Sequence, residues 1–134
     1  MLGEKIGEES GKVTLRRTLT NPGGVPKVET AFEASGSILN VNHMTIGTYT
    51  SHIRPDGSLL GEGQGIVRGK DGAMASWVGQ GVGTFKADGG VSYRGALFYS
   101  SPSPQWARLN TIAAIFEYET DSQGNTKAQI WEWR

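Results

Sequence analysis

Turn signals recur along this chain at near-regular spacing, and nothing in it restricts the fold more. They stand at Ser10-Gly11, Asn21-Pro22-Gly23-Gly24, Asn40-Val41-Asn42, Pro55-Asp56-Gly57, Lys70-Asp71-Gly72, Asp88-Gly89-Gly90 and Ser122-Gln123-Gly124-Asn125. Asp-Gly and Gly-Gly supply the positive φ that tight hairpins need. Between them lie runs rich in Val, Ile, Thr, Tyr and Phe that alternate apolar and polar with period two, and no segment sustains a 3.6-residue apolar period. The pattern predicts strands over 3–9, 12–20, 27–39, 44–54, 58–68, 73–86, 91–100, 111–120 and 126–133. Hairpin-linked strands in that number form an antiparallel meander, whose open edges would invite association. The expected fold is therefore all-β: an up-and-down meander closing into a barrel of about eight strands, with a two-sheet sandwich as the alternative. At 134 residues, the chain fits a single barrel domain over 1–134.

One connection is too long for a hairpin, Ser100-Ser101-Pro102-Ser103-Pro104-Gln105-Trp106-Ala107-Arg108-Leu109-Asn110. Ser103 before Pro104 has the chemistry of an N-cap followed by a first helical residue, and Asn110 suits a left-handed closing position. A short helical turn near 103–110, anchored by Trp106 and Leu109, is expected to plug one barrel end, with a mobile lid as the other reading.

Strand alternation assigns faces. Over 111–120, Ile112, Ala114, Phe116 and Tyr118 share a charge-free face that belongs inside. Pairing Thr120 with Thr126 carries Ala128, Ile130 and Glu132 inward and leaves Trp131 and Trp133 outside, with Glu119 opposite Lys127 as a favourable pair. On 12–20, Arg17 shares a face with Val13, Leu15 and Leu19, which would place a charge in the lumen. A buried charge needs a partner. First and last strands become neighbours on closure, so Arg17 and Glu132 are expected to meet, either as a structural pair or as a polar anchor for a ligand.

The central hairpin carries Gly61-Glu62-Gly63-Gln64-Gly65 and Trp77-Val78-Gly79-Gln80-Gly81-Val82-Gly83. Alternate glycines strip one face of each strand, permitting sharp curvature or seating aromatic rings on bare backbone. A three-residue loop would set the two stripes side by side; two or four residues would set them on opposite faces. The spacing is not the G-x-G-x-x-G of a dinucleotide site, no helix follows, and there is no G-K-[ST], so nucleotide binding is not expected.

Thirteen basic residues balance thirteen acidic ones without blocks, which argues against nucleic acid or an anionic membrane as the partner. With no Cys, disulfide frameworks, thiolate metal sites and cysteine nucleophiles fall away. Met1-Leu2-Gly3-Glu4-Lys5 has no apolar leader core, and no window approaches the roughly 20 apolar residues of a membrane helix, so a cytoplasmic location is expected. His43 and His52 have opposite parity and read as solvated strand-end residues, with no metal site and no cofactor expected. No G-x-S-x-G elbow appears.

The remaining polar groups give a candidate ligand-binding set: Arg17, Tyr49, Glu62, Gln64, Tyr93 and Glu132, with Arg94 and Tyr99 in reserve. No catalytic residue is assigned, although a Glu in an apolar barrel could act as an acid or base. The glycine-rich central strands, Tyr93-Arg94-Gly95, Phe116-Glu117-Tyr118 and Trp131-Glu132-Trp133 together resemble small meander barrels of the calycin and allene-oxide-cyclase-like kind. The lipocalin Gly-x-Trp signature is absent. That resemblance implies a small apolar molecule bound in the lumen, with a cyclase or isomerase as the alternative. A third reading is a filled barrel that self-associates through Ile115, Trp131 and Trp133 as a homo-oligomer.

Overall fold

The structure, a computed structural model, describes residues 2–20 and 23–134. Within them eight antiparallel strands form a closed barrel in sequence order: β1 (Leu2–Leu19), β2 (Lys27–Ile38), β3 (Val41–Ile53), β4 (Leu59–Gly69), β5 (Met74–Phe85), β6 (Val91–Ser100), β7 (Ala113–Thr120) and β8 (Asn125–Trp133). A 3-10 segment, Pro104–Thr111, interrupts the meander between β6 and β7. Closure comes from β1 pairing with β8, from Leu2 opposite Trp133 to Lys12 opposite Asn125.

The expected meander barrel of about eight strands is the observed one, and the predicted strand segments 3–9 and 12–20 are a single strand. Ser10-Gly11 is no turn: β1 runs straight through it. A Cβ on Gly11 would run into the Glu33 carbonyl of β2, and one on Gly36 would run into the Glu8 carbonyl of β1. Glycine here lets two strands approach closely, which is its other use inside a sheet. Asn21-Pro22 of the first long turn lies outside the described residues. The β2–β3 turn is made by Leu39 and Asn40, both in the left-handed region with φ of 46° and 64°, as a two-residue primed hairpin turn requires.

Gly69 N–H donates to Ala73 O at 2.8 Å, so this closing pair just beyond the β4–β5 ladder leaves three residues, Lys70-Asp71-Gly72, in the turn. That turn therefore sets the glycine stripes side by side, with Gly61 opposite Gly81 and Gly63 opposite Gly79. Both stripes face inward, and rings fill the space: Trp77 lies over Gly65 and Gly47, Tyr93 over Gly61 and Gly83, and Phe116 over Gly81.

One irregularity reverses a face assignment. β1 bulges between Val13, opposite Phe32, and Leu15, opposite Ala31. A bulge residue shifts side-chain parity by one. Beyond it Leu15, Arg17 and Leu19 stand on the outer face, while Arg16 lies opposite the buried Thr30 on the inner one. Arg17 accordingly does not enter the lumen or meet Glu132; its Nε donates to Glu29 Oε1 at 3.0 Å on the outside.

The 3-10 segment plugs one barrel end. Trp106 and Leu109 are fully buried, and Trp106 Nε1 donates to Ile38 O at 3.1 Å. The cap chemistry differs from expectation. Ser103 Oγ accepts from Met74 N at 2.9 Å and makes no cap bond to its own segment. Asn110 stays inside the helical segment, and its side chain clamps Ser101, accepting from N at 2.8 Å and donating to O at 2.9 Å. The β7–β8 assignments hold: Thr120 lies opposite Thr126 and Glu119 opposite Lys127, while Ala114, Tyr118, Ala128, Ile130 and Glu132 are buried.

Candidate functional site: the barrel lumen

Between the plug and the open end lies a cavity of about 70 Å³. Four stripe glycines, Gly61, Gly63, Gly79 and Gly81, form one wall, and Phe32, Trp77, Phe116 and Tyr118 stand around it. The missing side chains of β4 and β5 are what leave the space. That volume encloses a few waters or part of a single ring, so the lumen is narrow but not solid, and a ring-sized ligand would extend from it toward the open end.

One carboxyl group opens on this apolar chamber. On β1 the inward residues Gly7, Glu9 and Gly11 present a single side chain between two bare positions. Glu9 lies opposite Gly36 on one side and Ala128 on the other, so small residues surround it. Its side chain is nine-tenths buried, and its Oε2 accepts from Thr45 Oγ1 at 2.7 Å and lies 2.8 Å from His43 Nε2. Both bonds converge on Oε2; no hydrogen bond among the described residues reaches Oε1. Glu9 and Thr45 line the cavity, and His43 stands behind them with no side-chain exposure. With Nε2 engaged, His43 Nδ1 is buried and has no hydrogen-bond partner among the described residues.

The mouth side of the chamber is phenolic. Tyr49 and Tyr118 hydroxyls lie 3.1 Å apart, and the Tyr93 hydroxyl lies 2.5 Å from Ser51 Oγ. Tyr49 packs edge-on against Tyr93 and Tyr118, with ring centroids 5.9 and 5.4 Å away. Burial raises the phenols of Tyr49 and Tyr93 above their ordinary value, and those of Tyr99 and Tyr118 far above it. At neutral pH these hydroxyls keep their protons and act as hydrogen-bonding groups.

The predicted set divides accordingly. Tyr49 and Tyr93 line the cavity. Glu62 borders it through β4, but its side chain is on the outer face, 56% exposed, with Oε1 3.8 Å from His52 Nε2. Gln64 also faces out, into a broad open groove shared with Thr50, Val78, Gln80 and Phe98. Glu132 is buried at the plug end away from the cavity, held by Arg108 of the 3-10 segment and by Arg134 Nε at 2.6 Å. The Arg134 hydrogen bond, with Arg108 adding to it, holds this carboxyl below the usual range. Arg94 is on the outer surface, 3.7 Å from Glu117.

His43, expected to be solvated, is 3% exposed. Its partner was hidden because the Ser10-Gly11 turn signal breaks β1 just where Glu9 enters the lumen. The readable trace was Gly7-Glu8-Glu9-Ser10-Gly11, in which strand parity leaves one acidic side chain between two glycines. Glu9 and His43 give two ligating atoms, and no third His, Asp or Glu joins them as a metal set among the described residues.

No protein-family model matches this chain, and no curated protein matches it. Solved structures do. A β-barrel-like protein from Acinetobacter baumannii superposes with a TM-score of 0.84 at 10% identity, covering 100% of this chain and 96% of that one. A conserved protein of unknown function from Rhodopseudomonas palustris gives 0.82 at 9% identity, covering 98% and 97%. A structure described as an enzyme from Penicillium herquei gives 0.62 at 14% identity, covering 96% of both chains. At these identities the likeness is one of fold.

Proposed function

We propose that this barrel is a cytoplasmic binder of a small, largely apolar molecule, held in the lumen and oriented by Glu9. The observation that carries the reading is the Glu9–His43–Thr45 cluster opening on an aromatic-walled cavity. Glu9 Oε1 makes no hydrogen bond among the described residues and is not fully sealed, so it is open to an occupant of the cavity, while desolvating the rest of the carboxyl costs stability. A ligand whose apolar body lies on the glycine wall and whose hydroxyl or amide N–H reaches Glu9 Oε1 would complete the hydrogen bonding. Apolar walls with a few convergent polar groups are the usual make-up of small-molecule sites.

Calorimetric titration with 4-ethylphenol against 4-ethylanisole tests this. The phenol donates a hydrogen bond and the ether does not, so the phenol binds more tightly, and Glu9→Ala removes the difference. Equal binding of the two, or none, contradicts the reading.

A second reading is supported by the same cluster. A carboxyl backed by an imidazole can exchange a proton with a lumen substrate, the chemistry an isomerase or cyclase of the allene-oxide-cyclase-like kind would use. One structural neighbour, that from Penicillium herquei, is described as an enzyme. In this reading Glu9 is the acid–base group and His43 positions it.

We also infer self-association through the outer face. Ile115 lies opposite Trp131, Val78 opposite Phe98 and Ile46 opposite Ile66, and Trp133 is 60% exposed. Exposed apolar cross-strand pairs repeated around a barrel's outer face favour association over a free monomer surface. Sedimentation equilibrium gives a dimer or larger species that Trp131→Ser with Phe98→Ser disperses; a monomer at all concentrations contradicts it.

A further inference from the structure

We infer that the lumen ligand carries a carboxylate, and that Arg16 at the open rim reads it. This rests on the lumen reading above and adds the chemical class of the ligand. The β1 bulge is the origin of the site, since it turns Arg16, and not Arg17, to the inner face.

The register fixes where Arg16 stands. It lies opposite Thr30, Thr30 lies opposite Tyr49, Tyr49 opposite Gly63, and Gly63 opposite Gly79. Cross-strand partners share a face, so this row runs around the inner wall. Thr30 is buried, and Tyr49, Gly63 and Gly79 line the cavity. The row thus leads from Arg16 at the solvent-exposed rim directly onto the cavity wall. The Arg16 charge also acts on the phenols of Tyr49 and Tyr118, which places it on their side of the barrel.

Lys27, at the same end, lines the outer groove, and three other cations of that end are engaged. Arg17 is paired with Glu29, Arg54 Nε donates to Ser58 Oγ, and Lys86 donates to Thr120 O. No ion pair or hydrogen bond among the described residues engages Arg16. A guanidinium offers a planar fork that matches a carboxylate in two hydrogen bonds. At the rim the pair stays partly hydrated, so the desolvation cost of a buried ion pair is avoided. The opposite end of the lumen offers the acceptor oxygens of Glu9, which disfavour an anion. The chamber is therefore polarised: the acid group points to the mouth, and the apolar body lies on the glycine wall.

The test compares 4-phenylbutyrate with its neutral methyl ester, which has no N–H or O–H to give Glu9, by calorimetry on the wild-type protein, Arg16→Gln and Arg17→Gln. The acid binds about tenfold more tightly than the ester. Arg16→Gln removes that preference. Arg17→Gln keeps the preference, which separates a specific contact from general surface charge. Equal binding of acid and ester, or a preference that survives Arg16→Gln, overturns the carboxylate inference and leaves the lumen reading standing. If neither compound binds, the lumen reading falls and this inference with it.

Discussion

His43 and Glu9 meet inside the barrel, with Nε2 2.8 Å from Oε2, although 34 residues separate them in the chain. The contact joins β3 to β1 across β2, at the point where Gly36 of the intervening strand carries no side chain. The glycine between them is what lets the two polar groups touch. Thr45, two residues further along β3, completes the carboxyl's bonding on the same oxygen.

Removing the carboxyl strands two donors in a dry setting. Glu9→Ala should cost about 1–3 kcal/mol for each buried group left unpaired. Glu9→Gln keeps one acceptor oxygen, which can serve both because the two bonds converge on a single atom, and should cost less. Urea unfolding of both variants measures the difference, and an Ala variant as stable as wild type would show that His43 and Thr45 find other partners.

Trp106 distinguishes a plug from a lid. It is fully buried, with its indole N–H on Ile38 O, so Trp106→Ala should destabilise by about 3–5 kcal/mol. Trp133, 60% exposed, should change stability by no more than about 0.5 kcal/mol when truncated in the monomer. Thermal unfolding of the two variants gives the comparison. Little loss on truncating Trp106 would mean that the 3-10 segment is a mobile cover.

Gly65 is required by a ring. A Cβ there would run into the indole of Trp77, whose other neighbour is Gly47. Gly65→Ala should overpack the lumen and cost about 1–3 kcal/mol, with a shift in Trp77 emission. Gly57→Ala is the contrast. Its φ is +86° with open space around it, so its cost comes from backbone strain alone and the lumen stays unchanged.

The fold was legible because its signals are local. Asp56-Gly57, Asp71-Gly72 and Asp88-Gly89-Gly90 name their turns, and alternation over 111–120 and 126–133 names the core face. The site was not, because two of its determinants are non-local. Gly11 looks like a turn residue and is a close crossing, a distinction that depends on the Glu33 carbonyl of the next strand. The β1 bulge leaves no mark in the sequence, yet it exchanges the faces of Arg16 and Arg17. Glu62 and Gln64 were misplaced for a simpler reason. The glycine stripes do face the lumen, and their neighbours therefore cannot.

All four tyrosines have phenols raised by burial above the ordinary value of 10.0. Above about pH 10 the unfolded chain loses phenolic protons that the folded chain retains, so the folded state binds more protons there and stability falls as pH rises. Absorbance at 295 nm should show the phenols of the native protein ionising at higher pH than those of the unfolded chain. A tyrosine that titrates at its ordinary value with the fold intact would contradict the burial of its phenol.

The central claim, that a small molecule enters the lumen and is held at Glu9, is tested most directly by following backbone amide resonances during titration with 4-ethylphenol. The account predicts saturable shifts at Glu9, Thr45, Gly63, Gly79 and Tyr118, which surround the cavity, and their loss in Glu9→Ala. Shifts confined to Thr50, Gln64, Val78 and Phe98 on the outer groove, or no saturable shift at all, would contradict it.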